Sequence, residues 1–132
     1  MSTRYLLPYT LALGLAVSLA AATVPPEPQG FKLNGDPARG KVVFDRSCAL
    51  CHGPAGRGDG AMAPSLDPKP QDLTDRTVMA RRSDWEIYLV IRDGGKVLGL
   101  SPQMYSFKNI LEDQQIRDVA MYVRRLAPGQ GK

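Results

Sequence analysis

The stretch "SCALCHGPAGRGDG", residues 47–60, holds both cysteines of the chain and its only histidine within five consecutive positions. Cys48 and Cys51 are separated by two residues, and His52 follows directly. A disulfide across so short a spacing would constrain the unfolded chain very little. A redox-active C-x-x-C pair of the thioredoxin kind should follow a strand in a βαβ pattern, which this sequence lacks. A structural zinc site needs four ligands, and this group offers three.

The C-x-x-C-H pattern is typical of covalent haem attachment. Two sulfurs about one helical turn apart can form thioethers with the two vinyl groups on one side of a porphyrin. The residue after the second cysteine is then carried under the iron. The spacing therefore predicts one covalent haem c, with Cys48 and Cys51 as tethers and His52 as an axial ligand to the iron.

The sixth position of such an iron needs a second ligand or stays open. Because the chain has one histidine, a pair of histidine ligands from this chain is excluded by count. The remaining choices are a methionine, a lysine or an open position. Among the methionines, Met62 follows His52 closely, Met79 has no loop signature around it, and Met121 falls within the last predicted helix. Met104 follows an irregular "SPQ" stretch between two predicted helices, where a chain can wrap to the distal face. We predict Met104 as the distal iron ligand.

Local signals predict three helices and no strand. Asp36 before Pro37 predicts a helix that ends near Cys48. Ser83 with a glutamate three residues later predicts a capped helix that ends at Gly94. The third runs from about Asp113 to Leu126, with an apolar stripe at helical spacing, and residues 53–72 are predicted as loop. The fold class is therefore all-α, with about three to five helices around the haem.

The N-terminus indicates export. Arg4 is followed by an uncharged run from Leu6 to Val24, and residues 20–22 offer a small-residue cleavage pattern. We expect a signal peptide at residues 1–22 and a periplasmic location. The alternative is an uncleaved anchor in the inner membrane, because the uncharged run just reaches spanning length. We further expect a flexible lead-in at 23–34, the haem domain at 35–127 and a C-terminal tail at 128–132.

The charge balance carries little functional information. The formal net charge is +4, and it becomes +3 when residues 1–22 are removed, since their only charge is Arg4. Nucleic-acid binding usually shows a basic stripe with interleaved aromatic residues, so we expect no nucleic-acid partner. The arginine pairs at 81–82 and 124–125 are expected at solvated helix ends.

The sequence from about Gly35 to Leu126 resembles the class I monohaem c-type cytochromes, in particular the bacterial periplasmic ones. The segments that carry the resemblance are "GDPARGKVVFDRSCALCHGPAGRGDG", "APSLDPKPQDLTD", "SDWEIYLVIRDGGKVLGLSPQMYSF" and "QIRDVAMYVRRL". The resemblance implies the small cytochrome c fold, in which a glycine on the first helix lets it cross closely against the last. Gly40 and Phe44 match the first-helix positions, opposite Tyr122 and Leu126.

The resemblance also implies roles for residues around the haem. Pro64 matches the family's proline, whose carbonyl accepts a hydrogen bond from the proximal imidazole. Phe107 after Met104 matches the family's Met-x-x-aromatic arrangement, whereas Tyr105 stands where the family more often has proline. The candidates for the apolar haem wall are Leu66, Leu73, Trp85 and Leu98.

Iron held by His52 and Met104 would pass single electrons between redox proteins of the periplasm, as in a respiratory chain, and the chain itself would not be an enzyme. Two other functions stay open. The chain could be a haem subunit tethered in a dehydrogenase or respiratory complex. If Met104 does not bind, an open iron could reduce peroxide or bind small gases.

Overall fold

The computed structural model describes residue 1 and residues 24–127 of the chain. The predicted signal peptide therefore lies outside the described residues except for Met1, and the predicted tail at 128–132 lies outside them altogether. None of the helices within 24–127 has the length and apolar character that a bilayer crossing requires.

Five α-helices and no strand are found in residues 24–127, which confirms the all-α prediction. They are α1 Pro37–Ser47, α2 Ala49–His52, α3 Arg76–Met79, α4 Asp84–Asp93 and α5 Asp113–Leu126. Two short 3-10 turns, Ala63–Ser65 and Gly95–Leu98, lie in the connections. The three longer helices are those that capping and periodicity predict. The two four-residue helices are too short to show a period in the sequence.

The helix starts follow from their capping residues. The Asp36 side chain accepts hydrogen bonds from the N–H groups of Ala38 and Arg39, at 2.8 and 3.4 Å, which satisfies two donors at the start of α1. At the start of α4, the Ser83 N–H donates to Glu86 and the Glu86 N–H donates back to Ser83, at 2.8 and 3.1 Å. This reciprocal pair is the predicted capping box.

Helices α1 and α5 cross at Gly40. A Cβ atom at this position would lie 2.5 Å from the carbonyl carbon of Asp118 and 2.9 Å from Cβ of Tyr122. The absence of a side chain therefore sets how closely the helices approach. One turn further along, the rings of Phe44 and Tyr122 pack with their centroids 5.2 Å apart, and Phe44 is completely buried. The expected crossing is present at Gly40, Phe44 and Tyr122, and a Cβ atom at Gly56 would lie 2.6 Å from Cδ1 of Leu126.

A buried carboxylate ties the start of α1 to the middle of α5. Asp118 accepts hydrogen bonds from the Asp36 N–H at 2.7 Å, from Arg39 Nε at 2.7 Å and from Gln114 Nε2 at 2.9 Å. Burial raises the pKa of Asp118, but these hydrogen bonds and the Arg39 charge outweigh it and hold the pKa below its usual value. The carboxylate is therefore ionised in the folded protein at neutral pH.

The segment at 24–34, expected as a flexible lead-in, packs along α4 and α5. Leu33 is buried, and Phe31 meets the ring of Trp85 edge-on with centroids 4.9 Å apart. Trp85 Nε1 donates to the carbonyl of Pro25 at 3.0 Å, and the guanidinium of Arg117 stacks 5.3 Å from the centre of the Phe31 ring. The apolar side chains of Phe31 and Leu33 hold the segment here, although its proline and glycine content indicates a loop.

Candidate functional site

The junction of α1 and α2 brings the two cysteines and the histidine together. The Cys48 N–H donates to the carbonyl of Phe44 at 2.9 Å, and the His52 N–H donates to the carbonyl of Cys48 at 2.9 Å. Cys48 is buried, whereas Cys51 and His52 are half-buried, and both thiols are free. The three groups are thus held at the junction of two consecutive helices, of which the first is capped by Asp36.

The environment of Cys48 does not activate its thiol as a thiolate nucleophile. Burial, with a smaller contribution from Cys51, raises its pKa to about 12. Redox-active C-x-x-C pairs depend instead on a cysteine whose pKa is lowered, because the thiolate is the nucleophile. The environment of Cys48 therefore favours a tether over a disulfide-exchange site.

The ring of His52 is oriented by a backbone carbonyl. Its Nδ1 lies 3.3 Å from the carbonyl oxygen of Gln71. Because a carbonyl can only accept, this contact places the proton on Nδ1 and leaves Nε2 with the lone pair that a metal needs. Burial lowers the pKa of His52, and the Gln71 contact opposes that shift. The imidazole is neutral at pH 7, as a metal ligand must be.

The acceptor beside His52 differs from the one that the resemblance implies. Pro64 lies in the 3-10 turn Ala63–Ser65 and makes no hydrogen bond to His52 in the described part of the chain. The carbonyl of Gln71 stands beside the ring in its place. The sequence does not indicate Gln71, because every residue has a backbone carbonyl. The fold determines which carbonyl lies beside His52.

A cavity of about 280 Å³ lies against these groups. It is lined by Cys48, Cys51 and His52 on one wall, and by apolar side chains of α4 such as Ile87, Val90 and Ile91 on another. Three of the four side chains expected in an apolar haem wall line it, namely Leu66, Leu73 and Leu98. The fourth, Trp85, is not in the lining, because it packs against the segment at 24–34.

Two methionines line the cavity. Met104 is half-buried and enters from the loop after the turn Gly95–Leu98, as the sequence predicts. Met79, at the end of α3, is buried and lines the same cavity. Met62 is exposed, and Met121 lies at a separate groove beside Lys32 and Arg124. The structure therefore reduces the methionine candidates for a distal ligand to Met104 and Met79.

The loop that carries Met104 is anchored on α4 and on the turn that follows it. The Gly95 N–H donates to the Met104 carbonyl at 2.7 Å, and the Phe107 N–H donates to the Ile91 carbonyl at 3.1 Å. A Cβ atom at Gly94 would lie 2.9 Å from the Met104 carbonyl oxygen, so the glycine lets the loop lie close to the helix end. These contacts fix the backbone of Met104 at the cavity.

One arginine of each pair expected at a solvated helix end has partners in the structure, whereas Arg81 and Arg125 are exposed. Arg82 lines the cavity and its Nη1 lies 3.4 Å from Glu86, which also lines it. Arg124 donates to Asp84 at 2.7 Å and to the carbonyls of Met79 and Arg82 at 3.0 and 2.6 Å. Arg124 therefore fastens α5 to the turn that carries Met79 and Arg82 into the cavity wall. The paired arginines in the sequence do not reveal these partners.

The family model for cytochrome c matches residues 37–127, which is more than half of the chain. The chain belongs to the cytochrome c family. The match confirms the resemblance to c-type cytochromes, and membership implies a covalently bound haem c and a role in electron transfer. None of the curated proteins compared with this cytochrome matches it significantly.

Two solved structures share the fold of this cytochrome. A chain of the "Kuenenia stuttgartiensis reducing HAO-like protein complex Kustc0457/Kustc0458" superposes with a TM-score of 0.56 and 28% identity, over 67% of this chain and 41% of that chain. This cytochrome thus spans about two fifths of the length of that relative. The structure titled "KustC0563 c-type cytochrome" superposes with a TM-score of 0.54 and 22% identity, over 67% of this chain and 96% of that one.

The residues at the cavity fit a haem c. Two free thiols and a neutral imidazole lie on one wall, and thioether sulfurs lie elsewhere on the lining. The remaining lining is mostly aliphatic and aromatic, which suits a porphyrin ring, while Arg82 and Lys69 supply positive charge that suits carboxylate substituents. The donor set therefore matches covalent attachment with one strong axial nitrogen ligand.

Proposed function

We propose that this cytochrome is a single-electron carrier with one haem c, tethered by Cys48 and Cys51 and ligated by His52 and Met104. The observation that carries the proposal is the convergence of these four side chains on one apolar cavity. The first three arrive from the α1–α2 junction, and Met104 arrives from a loop 52 residues after His52. Only the fold brings the thioether and the imidazole to a shared space.

The chemistry follows from the residues at the cavity. When bound, haem c supplies an iron that gains and loses one electron. His52 and Met104 would together hold the iron and leave no position for a substrate. A thioether favours Fe(II) over Fe(III), and the aliphatic lining disfavours the extra positive charge of Fe(III). These residues would therefore raise the reduction potential of a bound haem and suit electron transfer rather than catalysis.

A second candidate function is that of a haem subunit within a larger redox complex. The observation that favours it is the likeness to one chain of the Kuenenia stuttgartiensis complex. This cytochrome covers 41% of the length of that chain. In that case the redox partner is permanent, and the axial ligands are unchanged. Co-purification decides between the two functions: a free carrier leaves the partner in dilute buffer, and a subunit stays with it.

The periplasm is the proposed location, with residues 1–22 acting as a cleaved signal peptide. The uncharged run and the small residues at 20–22 support this proposal. An uncleaved N-terminus would instead anchor the protein to the inner membrane with the haem domain in the periplasm. The mass of the protein purified separately from the soluble and membrane fractions distinguishes the cleaved form from the anchored one.

The ligation is tested with two variants that remove the two cavity methionines one at a time. Met104→His keeps a ligand but replaces the thioether with a stronger nitrogen donor, so we expect attached haem and a lower reduction potential. Met79→Leu is the matched control and should keep both the potential and the sulfur-to-iron absorption band of the oxidised protein. An unchanged potential in Met104→His, or loss of the band in Met79→Leu, contradicts Met104 ligation.

The same spectra test the open-site function. A high-spin spectrum of the wild-type protein, with carbon monoxide bound readily after reduction, would show an iron that lacks a distal protein ligand. That outcome would replace the electron-carrier proposal with peroxide reduction or gas binding.

A further inference from the structure

Two loops contribute residues to the lining of the cavity. The first, residues 66–71, contributes Leu66, Lys69 and Gln71 to the lining, and its Gln71 carbonyl lies beside Nδ1 of His52. The second, residues 98–105, contributes Gln103 and Met104. One loop therefore contacts the proposed proximal ligand, and the other carries the proposed distal ligand.

A single side chain joins the two loops. Oε1 of Gln103 accepts a hydrogen bond from the backbone N–H of Asp67 at 3.1 Å. Within residues 24–127 this is the only hydrogen bond between the two loops. The connection that carries Met104 is also held to the turn after α4, where the Gly95 N–H donates to the Met104 carbonyl, and to α4 itself, where the Phe107 N–H donates to the Ile91 carbonyl. The Gln103 bond is thus the attachment of the Met104 loop on the side away from α4.

We propose that Gln103 is a positioning residue that keeps Met104 on the iron by bracing its loop against the loop at 66–71. This inference rests on the proposed ligation by Met104. When the loop swings away from the cavity, the thioether leaves the iron, and the Gln103 bond must break in the same movement. The bond therefore shifts the equilibrium toward the closed, methionine-bound state without touching the iron itself.

The size of the expected effect follows from the strength of the hydrogen bond between Asp67 and Gln103. The two partners are exposed, so that water replaces the bond once it is broken. A hydrogen bond of ordinary net strength changes an equilibrium constant about five-fold. Because Met104 follows Gln103 directly in the chain, this factor applies to the opening of the loop that carries the ligand.

Imidazole binding to the oxidised holoprotein measures the opening, since imidazole takes the position that Met104 vacates. Gln103→Leu keeps a similar size without an acceptor, and we expect it to bind imidazole about five-fold more tightly than wild type. Gln103→Glu retains an oxygen acceptor and should stay within about two-fold of wild type. Asn109→Ala is the matched control, because Asn109 is exposed in the same connection and makes no side-chain hydrogen bond in the described structure.

Amide hydrogen exchange reports the bond directly. The Asp67 N–H should exchange faster in Gln103→Leu and at the wild-type rate in Asn109→Ala. If wild type and Gln103→Leu bind imidazole equally and both show the sulfur-to-iron band, Gln103 does not position Met104. The proposed ligation by Met104 is unaffected by that outcome. Absence of that band in the wild-type protein overturns the ligation and the brace with it. Tighter imidazole binding in Gln103→Glu as well as in Gln103→Leu would also contradict the brace.

Discussion

Replacing Gly40 with alanine tests how closely α1 and α5 must approach. Alanine is intrinsically favoured over glycine in a helix by about 1 kcal/mol. The added Cβ would lie 2.5 Å from the Asp118 carbonyl carbon, so α1 would have to retreat by about 1 Å to reach ordinary contact. Overpacking of this kind costs about 3 kcal/mol. We therefore expect Gly40→Ala to lower the free energy of unfolding by about 2 kcal/mol.

The assay is guanidinium denaturation of the oxidised holoprotein, followed through the fluorescence of the single tryptophan, Trp85. Val42→Ala is the matched control, because Val42 is on the same helix and half exposed. This substitution should lower the free energy of unfolding by less than about 1 kcal/mol. A Gly40→Ala protein as stable as wild type, or more stable, would refute the close crossing, since helix propensity alone predicts a gain. The crossing matters for the site because α1 leads directly into Cys48.

Three further predictions concern the carboxylate, the tether and the N-terminal segment. The pKa of Asp118 is lowered in the folded protein, so its stabilising contribution is complete above the unfolded pKa of about 3.9 and is lost as the pH falls through the folded pKa. The difference in unfolding free energy between wild type and Asp118→Asn should therefore shrink below about pH 4 in acid titrations, and a constant difference would contradict the ionised carboxylate. Cys51→Ala removes one of two thioethers and should leave little mature holoprotein by haem stain, whereas a normal yield would contradict the attachment scheme. Leu33→Ala should lower the free energy of unfolding by about 3 kcal/mol, because the side chain is 2% exposed, and an unaffected midpoint would show that the segment at 24–34 contributes nothing to the core.

The sequence predicts those parts of the fold whose causes are local. Helices α1, α4 and α5 begin at capping residues and carry apolar stripes, and both signals depend only on neighbours in the chain. Helices α2 and α3 are a single turn each, so no periodicity could be detected. The sequence does not predict the packing of Phe31 and Leu33, because two apolar residues in a proline-rich segment do not indicate which residues they contact.

The same distinction holds at the site. Cys48, Cys51 and His52 are adjacent in sequence, and one helical segment suffices to arrange them. The roles of Gln71 and Gln103 depend on contacts between residues 19 and 36 positions apart, which no local pattern encodes. Met79 and Arg82 reach the cavity because Arg124 fixes the turn between α3 and α4 to α5.

The covalent tether is the central claim, and the intact mass of the purified protein tests it most directly. After maturation in a host that assembles c-type cytochromes, the denatured protein should retain its colour and weigh the polypeptide plus one haem. Since Cys48 and Cys51 are the only cysteines, tryptic digestion should place the added mass on the peptide that contains both. A colourless protein at the mass of the polypeptide alone would contradict the account.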